Sequence, residues 1–217
     1  MDGVKGEKQR RPYRSAVREE SARRTRRAVV AAAAELFVER GYGGTSLADV
    51  AAAAGVARPT VFAAFGSKVA LLRQVLDEAL AGDDEPVPVA QRPWFRPVLE
   101  ARTQGGVLDA YAGVCTLLGS RAARIFESVR RAAGEAGEAA ELWETVLGNR
   151  RAGARMVVER VRTLGPLRQG DDLERATDAM WIFNDPAHYD ALVLRRGWAE
   201  DAFQEWLARH MRLALLP

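Results

Sequence analysis

The chain has 217 residues, 48% of them hydrophobic and 28% charged, with a formal net charge of +3. That balance suits a soluble chain with a packed core, and the single cysteine, Cys115, excludes an internal disulfide and any multi-cysteine metal site. No apolar stretch approaches the roughly 18 residues of a membrane span, no secretory leader is in view, and a reducing cytoplasm is the expected compartment.

In chain order, residues 1–30 come first, with ten basic and four acidic side chains, a net +6 that leaves −3 for the remainder. A basic head on a mildly acidic body suits contact with a polyanion; a solvated tail has the same composition. Residues 1–20 are polar and without apolar period, so they read as a basic disordered arm, with order beginning near Ser21. Val29, Ala33, Leu36 and Phe37 then recur on one helical face. Gly41 ends that helix. Ser46 is a good N-cap for a second helix, with Asp49 favouring its positive end, and Leu47, Val50, Ala51 and Ala54 form its apolar face. Gly55 stops it. A third short helix has Pro59 in its first turn, where a missing N–H is harmless, and carries Val61, Phe62 and Phe65. After Gly66, Ser67 caps a fourth helix whose stripe is Leu71, Leu72, Val75 and Leu76, running to about Ala81.

Residues 82–97 hold an acidic run and four prolines, which exclude a continuous helix. They read as a linker between a domain at 21–81 and a second at 98–217. The second is helical throughout, with breaks expected near Gly105-Gly106, Gly119, Gly134, Gly165-Pro166, Asp185-Pro186 and Gly197. No alternating strand pattern and no fixed repeat occurs. The fold class is all-α: a small N-terminal helical domain joined to a larger C-terminal helical one.

The informative stretch is TSLADVAAAAGVARPTVFAAFGSK, Thr45 to Lys68. Its small Ala51, turn-forming Gly55, and Val56 and Val61 beneath suit two helices crossing steeply. The outward face of the third helix, with Arg58 and Thr60, is then free to enter a major groove. The first helix, the Gly41-Tyr42 turn, Thr45-Ser46, AGVARPTVFAAF and Ser67-Lys68 together resemble the N-terminal domain of the TetR family of repressors, over about Arg23 to Ala81. WIFNDPAHYDALVLRRGW and the amphipathic last helix look like the ending of many members.

The resemblance implies an N-terminal three-helix, helix-turn-helix DNA-binding domain joined to a C-terminal helical ligand-binding and dimerisation domain, an all-helical homodimer with a separate small-molecule pocket, and repression of an inverted-repeat DNA operator relieved by that ligand. Carried over by position, the DNA-binding residues are Thr45, Ser46, Arg58, Pro59, Thr60, Phe62 and Lys68. Arg58 suits bidentate pairing with guanine, and Lys68 a phosphate. Two departures stand out. Phe62 occupies a position where the family usually has tyrosine, and Ala57 replaces the usual hydroxyl cap, so the reader is expected to lean more on its basic arm.

In the second domain, Leu173, Ala176, Thr177, Met180 and Trp181 form one stripe, and Phe203, Trp206, Leu207, Met211 and Ala214 another. Two such helices per subunit suit a four-helix interface; ordinary intrachain core gives the same pattern. Tyr111, Cys115, Phe126, Trp143 and Met156 are the pocket candidates, with Trp94 beside them, and suit an apolar ligand. Asp109, Glu127 and Glu144 would favour a cation if they pointed inward. Neither a catalytic constellation nor a cofactor or metal motif is present: His188 and His210 are the only histidines, and Gly41–Ser46 lacks the strand and lysine of a phosphate loop. A sensor without specific DNA binding and a small helical enzyme are the alternatives.

Overall fold

A computed structural model describes residues 11–168 and 172–217. Among them every regular element is helical: α1 (Arg11–Arg40), α2 (Leu47–Ala53), α3 (Arg58–Phe65), α4 (Lys68–Ala81), α5 (Arg96–Glu100), α6 (Gln104–Ala132), α7 (Gly137–Arg162), α8 (Leu173–Phe183), α9 (Pro186–Tyr189) and α10 (Glu200–Leu215). Short 3-10 turns lie at Val89–Gln91 and Pro93–Phe95, and a π-helical turn at Asp190–Arg195. The all-α class is as expected. No single helix among the described residues is long and apolar enough to cross a membrane.

Two elements differ from expectation. Helix α1 begins at Arg11, not near Ser21. The run around Ala16, Arg18, Glu19, Glu20 and Ala22 consists of strong helix formers. Extending a helix already nucleated and docked downstream is far easier than starting one. The rest of the expected arm, residues 1–10, lies outside the described residues. Helix α6 also continues through Gly119 instead of breaking there. A β-carbon at Gly119 would lie 2.6 Å from the Cβ and Cγ of Tyr189, so the glycine admits a ring against the helix and does not end it.

The core forms two clusters. One joins Val29 and Phe37 of α1, Val50 of α2, Val61 of α3 and Leu72 and Leu76 of α4 to Ile125, Phe126 and Val129 of α6 and Leu142 and Val146 of α7. The other gathers Phe95, Val98, Leu108, Val158, Met180, Phe203, Leu207 and Met211. The long helices α6 and α7 therefore contribute to both, and the chain divides at the proline-rich segment while the core does not. Polar bonds cross the same seam. The buried Ser128 hydroxyl donates to the Phe37 carbonyl at 3.1 Å, and the Gly43 N–H to the Glu135 carboxylate at 3.0 Å.

Four residues expected at a subunit interface are instead intrachain core. Met180, Phe203, Leu207 and Met211 are at most 2% exposed. Helices α8 and α10 lie against α7 and α6 of their own bundle, and each turns its most apolar stripe to that contact.

Candidate nucleic-acid interface and internal cavity

The reader begins with the cap of α2. Ser46 Oγ accepts from the Asp49 N–H at 3.1 Å, and the Asp49 carboxylate accepts from the Ser46 N–H at 2.9 Å, a reciprocal capping box. The same bonds hold the Asp49 carboxyl below the usual carboxylate range. The chain then bends by 113° between α2 and α3, through Gly55 at φ +68° and a Val56 N–H donating to the Ala51 carbonyl at 2.9 Å. Val61 is fully buried beneath, and Ala51 nearly so. Arg58, Pro59, Thr60, Ala63 and Ala64 face outward, with Phe62 61% exposed. Ala57 gives α3 no side-chain cap, as its residue type requires.

What α3 lacks at its start it has at its end. Arg26 of α1 donates to the Ala64 carbonyl at 3.0 Å and to Gln74 at 2.9 Å, with its guanidinium 4.4 Å from the centre of the Phe65 ring. A cation at the carbonyl end of a helix is favoured by the dipole.

Two of the residues carried over by resemblance have other work. Thr45 is 1% exposed, and its hydroxyl donates to the Leu36 and Gly41 carbonyls at 3.1 and 2.9 Å. It closes the turn after α1 and cannot touch DNA, because the hydroxyl satisfies carbonyls freed where that helix ends. Lys68 donates to the Tyr42 carbonyl at 2.8 Å and lies 4.0 Å from the Tyr42 ring centre. It staples the first turn of α4 to the same corner, with other N–H groups left over.

The basic head is also less free than its charge suggests. Asp84, with a side chain 9% exposed, accepts from the Nε and Nη2 of both Arg23 and Arg27, four bonds of 2.8–2.9 Å. Glu85 pairs with Arg23 as well. These bonds, from Arg23 first and then Arg27, hold the Asp84 carboxyl far below the usual carboxylate range. Arg92, 5% exposed, braces the loop from inside by donating to the Val87 and Glu85 carbonyls at 2.9 and 2.8 Å and to Asp83.

That loop forms one wall of a cavity of about 700 Å³. Tyr111, Cys115, Phe126 and Met156 of the predicted set line it, together with α4 residues and, unforeseen, Arg150 and Asn184. Trp143 does not. It packs edge-on to Phe126 at 5.1 Å, behind the wall. Trp94 likewise packs on Phe95. Burial pushes the Cys115 thiol up to about 12 and the Tyr111 hydroxyl well above its usual range. Asp109 pairs with Arg212, Glu127 with Arg130 and Arg131, and Glu144 is exposed; none lines the cavity. Among the described residues no group of three or more His, Cys, Asp or Glu side chains is placed to hold a metal.

The sequence carried a signal for the clasp that residue typing passed over. Arg23 and Arg27 are four apart, so they share a helix face, and the only acidic triplet in the chain, Asp83-Asp84-Glu85, follows α4. Arg150 gave no such signal.

A steep helical hairpin with an outward-facing second helix, set on a helical bundle with a cavity, defines a helix-turn-helix architecture. Residues 29–75 match the family model described as bacterial regulatory proteins, tetR family. The chain is similar in fold to a protein from Rhodococcus sp. described as a TetR-family transcriptional regulator (13% identity, TM-score 0.66, covering 88% of this chain and 98% of that one). It is similar to NalD of Pseudomonas aeruginosa, the secondary repressor of the MexAB-OprM multidrug efflux pump (23% identity, TM-score 0.63, 89% and 98%). A transcriptional regulator from Saccharomonospora viridis in complex with choline is a third (16% identity, TM-score 0.65, 88% and 96%). No curated protein matches the sequence. The match to the family model is confined to residues 29–75, and the rest of the chain shares with these structures its fold.

Proposed function

We propose that the protein is a cytoplasmic, homodimeric repressor that binds an inverted-repeat operator and leaves it when a small molecule fills the cavity. The observation that carries this reading is a shared element. The loop from Asp83 to Ala90 lines the cavity, and its Asp84 grips Arg23 and Arg27 of the first helix of the DNA reader. A ligand that moves the loop therefore acts on the reader directly, which gives the differential interaction any induction requires.

Arg58 and Thr60 read base edges, Phe62 offers its exposed ring to a thymine methyl or a sugar, and Pro59 sets the start of the helix. Ser46 presents the N-terminus of α2 to phosphate, and the remaining N–H groups of Lys68 serve the same backbone. The dimer forms through the outer faces of α8 and α10. Ile182 and Leu213 are 54% and 56% exposed there, and Trp181 and Trp206 are half-buried. One short reader helix gives little specificity alone, whereas two at half-sites one DNA turn apart give a useful amount.

The test is selection of fragmented genomic DNA on the purified protein, followed by sequencing. The expected product is a short inverted repeat. Arg58→Ala should relax base preference within it, and Lys68→Ala should weaken all sequences alike. Recovery of only salt-sensitive, sequence-independent binding would refute the operator and leave the alternative of a sensor without specific DNA binding.

A further inference from the structure

We propose that the molecule this cavity takes is an apolar acid, whose carboxylate docks on Arg150. The inference rests on the effector reading of the cavity and adds the chemical class of its occupant.

Arg150 projects from α7 with its side chain 11% exposed. Its guanidinium lies 5.5 Å from the centre of the Phe126 ring and 5.3 Å from that of Trp181. Nη2 is satisfied by the Trp181 carbonyl at 2.9 Å and the Asn184 side-chain oxygen at 3.0 Å. Nε and Nη1 have no hydrogen-bond acceptor among the described residues. Asp185 approaches Nη1 to 3.1 Å, but off the line a hydrogen bond needs. A guanidinium presents five N–H groups in a fixed fork that matches a carboxylate, and this one keeps two of its nitrogens without a hydrogen bond. Burial of the cation, only partly offset by Asp185, lowers its proton affinity. An incoming anion would relieve that cost.

The neighbouring cavity groups are donors too. The Tyr111 hydroxyl and the Cys115 thiol stay protonated because burial raises both. Asn184 Nδ2 donates to the Tyr111 oxygen at 3.0 Å and to the Arg150 carbonyl at 3.2 Å, and the Tyr111 hydroxyl is hydrogen-bonded to Cys115, so these groups form one chain beside the guanidinium. The carboxylates that line the cavity come from α4 and the loop after it. Asp83, Asp84 and Glu85 are already neutralised by Arg92, Arg23 and Arg27, and Glu78 accepts from Gln74. Neither Glu78 nor Asp77 is in an ion pair among the described residues; burial, only partly offset by Arg73, raises the Asp77 carboxyl, which lessens its repulsion of a second acid. The remaining walls are apolar, including Val114, Leu118, Val146 and Met156, and the volume of about 700 Å³ suits a body of drug-like size. A permanent cation would meet a buried guanidinium that Asp185 offsets only in part, where a carboxylate finds a partner.

The experiment compares three probes of one chain length on the full-length protein by isothermal titration: decanoate, methyl decanoate and decyltrimethylammonium. Decanoate is expected to bind at least about tenfold more tightly than the ester, the worth of one charge-assisted bond pair. Arg150→Met should bring the acid-to-ester ratio close to one, and Arg150→Lys should restore part of it. Equal binding of acid and ester, or preference for the ammonium, overturns the acid and leaves the cavity reading standing. The probe comparison needs no variant, so misfolding of an Arg150 substitution does not blunt it. Met156→Trp fills the cavity and should abolish binding of every probe. Unchanged binding in that variant, or failure of all three probes on the unmutated protein, overturns the cavity reading itself.

Discussion

Replacing Arg26 by alanine separates the scaffold of the reader from its reading edge. The residue touches no position expected to meet DNA, yet it holds the carbonyl end of α3, a helix of eight residues with no side-chain cap at its start. The substitution removes a charged donor from the Ala64 carbonyl, the bond to Gln74 and the contact with the Phe65 ring. A half-buried charged hydrogen bond at a helix terminus together with a cation–π contact is worth about 2 kcal/mol, counted as one overlapping set. For a chain of this size that lowers the melting temperature by about 4–8 °C. Thermal denaturation by circular dichroism measures it, and DNA affinity is then compared well below the transition. Binding to the selected inverted repeat should fall more than binding to random DNA, because a loosened α3 loses base contacts before phosphate contacts. Arg26→Lys, which keeps the charge without the fork, should fall between. An unchanged melting temperature with unchanged operator affinity would refute the cap.

Thr45→Val should cost about 1–2 kcal/mol of stability through the lost hydroxyl bonds to the Leu36 and Gly41 carbonyls. Urea denaturation reads it, and lost DNA affinity at full stability would restore the residue to the interface. Gly119→Ala drives a methyl to 2.6 Å from Tyr189 and should destabilise by about 1–3 kcal/mol in the same assay; a neutral result would mean that α6 and α9 slide apart freely. Asp84→Asn tests the clasp through pH. The folded-state carboxyl lies well below its unfolded value of about 3.9, so its contribution is fully present above about pH 4 and lost as pH falls toward the folded value. The stability gap between parent and variant should therefore be constant from pH 7 to about 5 and close on further acidification. A gap independent of pH would rule the ion pairs out as its source.

Much of the reader was legible because its signals are local. Ser46, Gly55, Pro59 and Ser67 each act within one turn of the chain, so residue type and spacing were enough to place α2, α3 and the start of α4. The cavity was partly legible for a different reason. Tyr111, Cys115 and Met156 share the apolar faces of α6 and α7, but periodicity cannot separate a face that lines a void from one that packs solidly, and Trp143 fell on the wrong side of that line. Met180 and Phe203 failed as interface residues on the same ground: an apolar stripe does not say which neighbour covers it. Thr45 was misread because resemblance transfers a position without its burial. The arginines Arg26, Arg92 and Arg150 were opaque, since their roles lie in partners 38, 5 to 9 and up to 35 residues distant, which only the packed chain brings together.

The loop that Arg92 braces from within, and that grips α1 from without, has a practical consequence for anyone adapting the molecule as a biosensor. Residues 83–90 stand in the cavity's wall and in the clasp at once. On the proposed reading, variation there should shift the dose at which a sensor answers together with its output in the absence of any inducer, and a library built on that loop should be dominated by leaky or unresponsive clones. Positions on α6 and α7 such as Val114, Leu118 and Met156 line the cavity and pack with the second core cluster, away from the clasp. Recognition of a new analyte is best sought among them, where the background signal stays fixed while the chemistry of the chamber is changed.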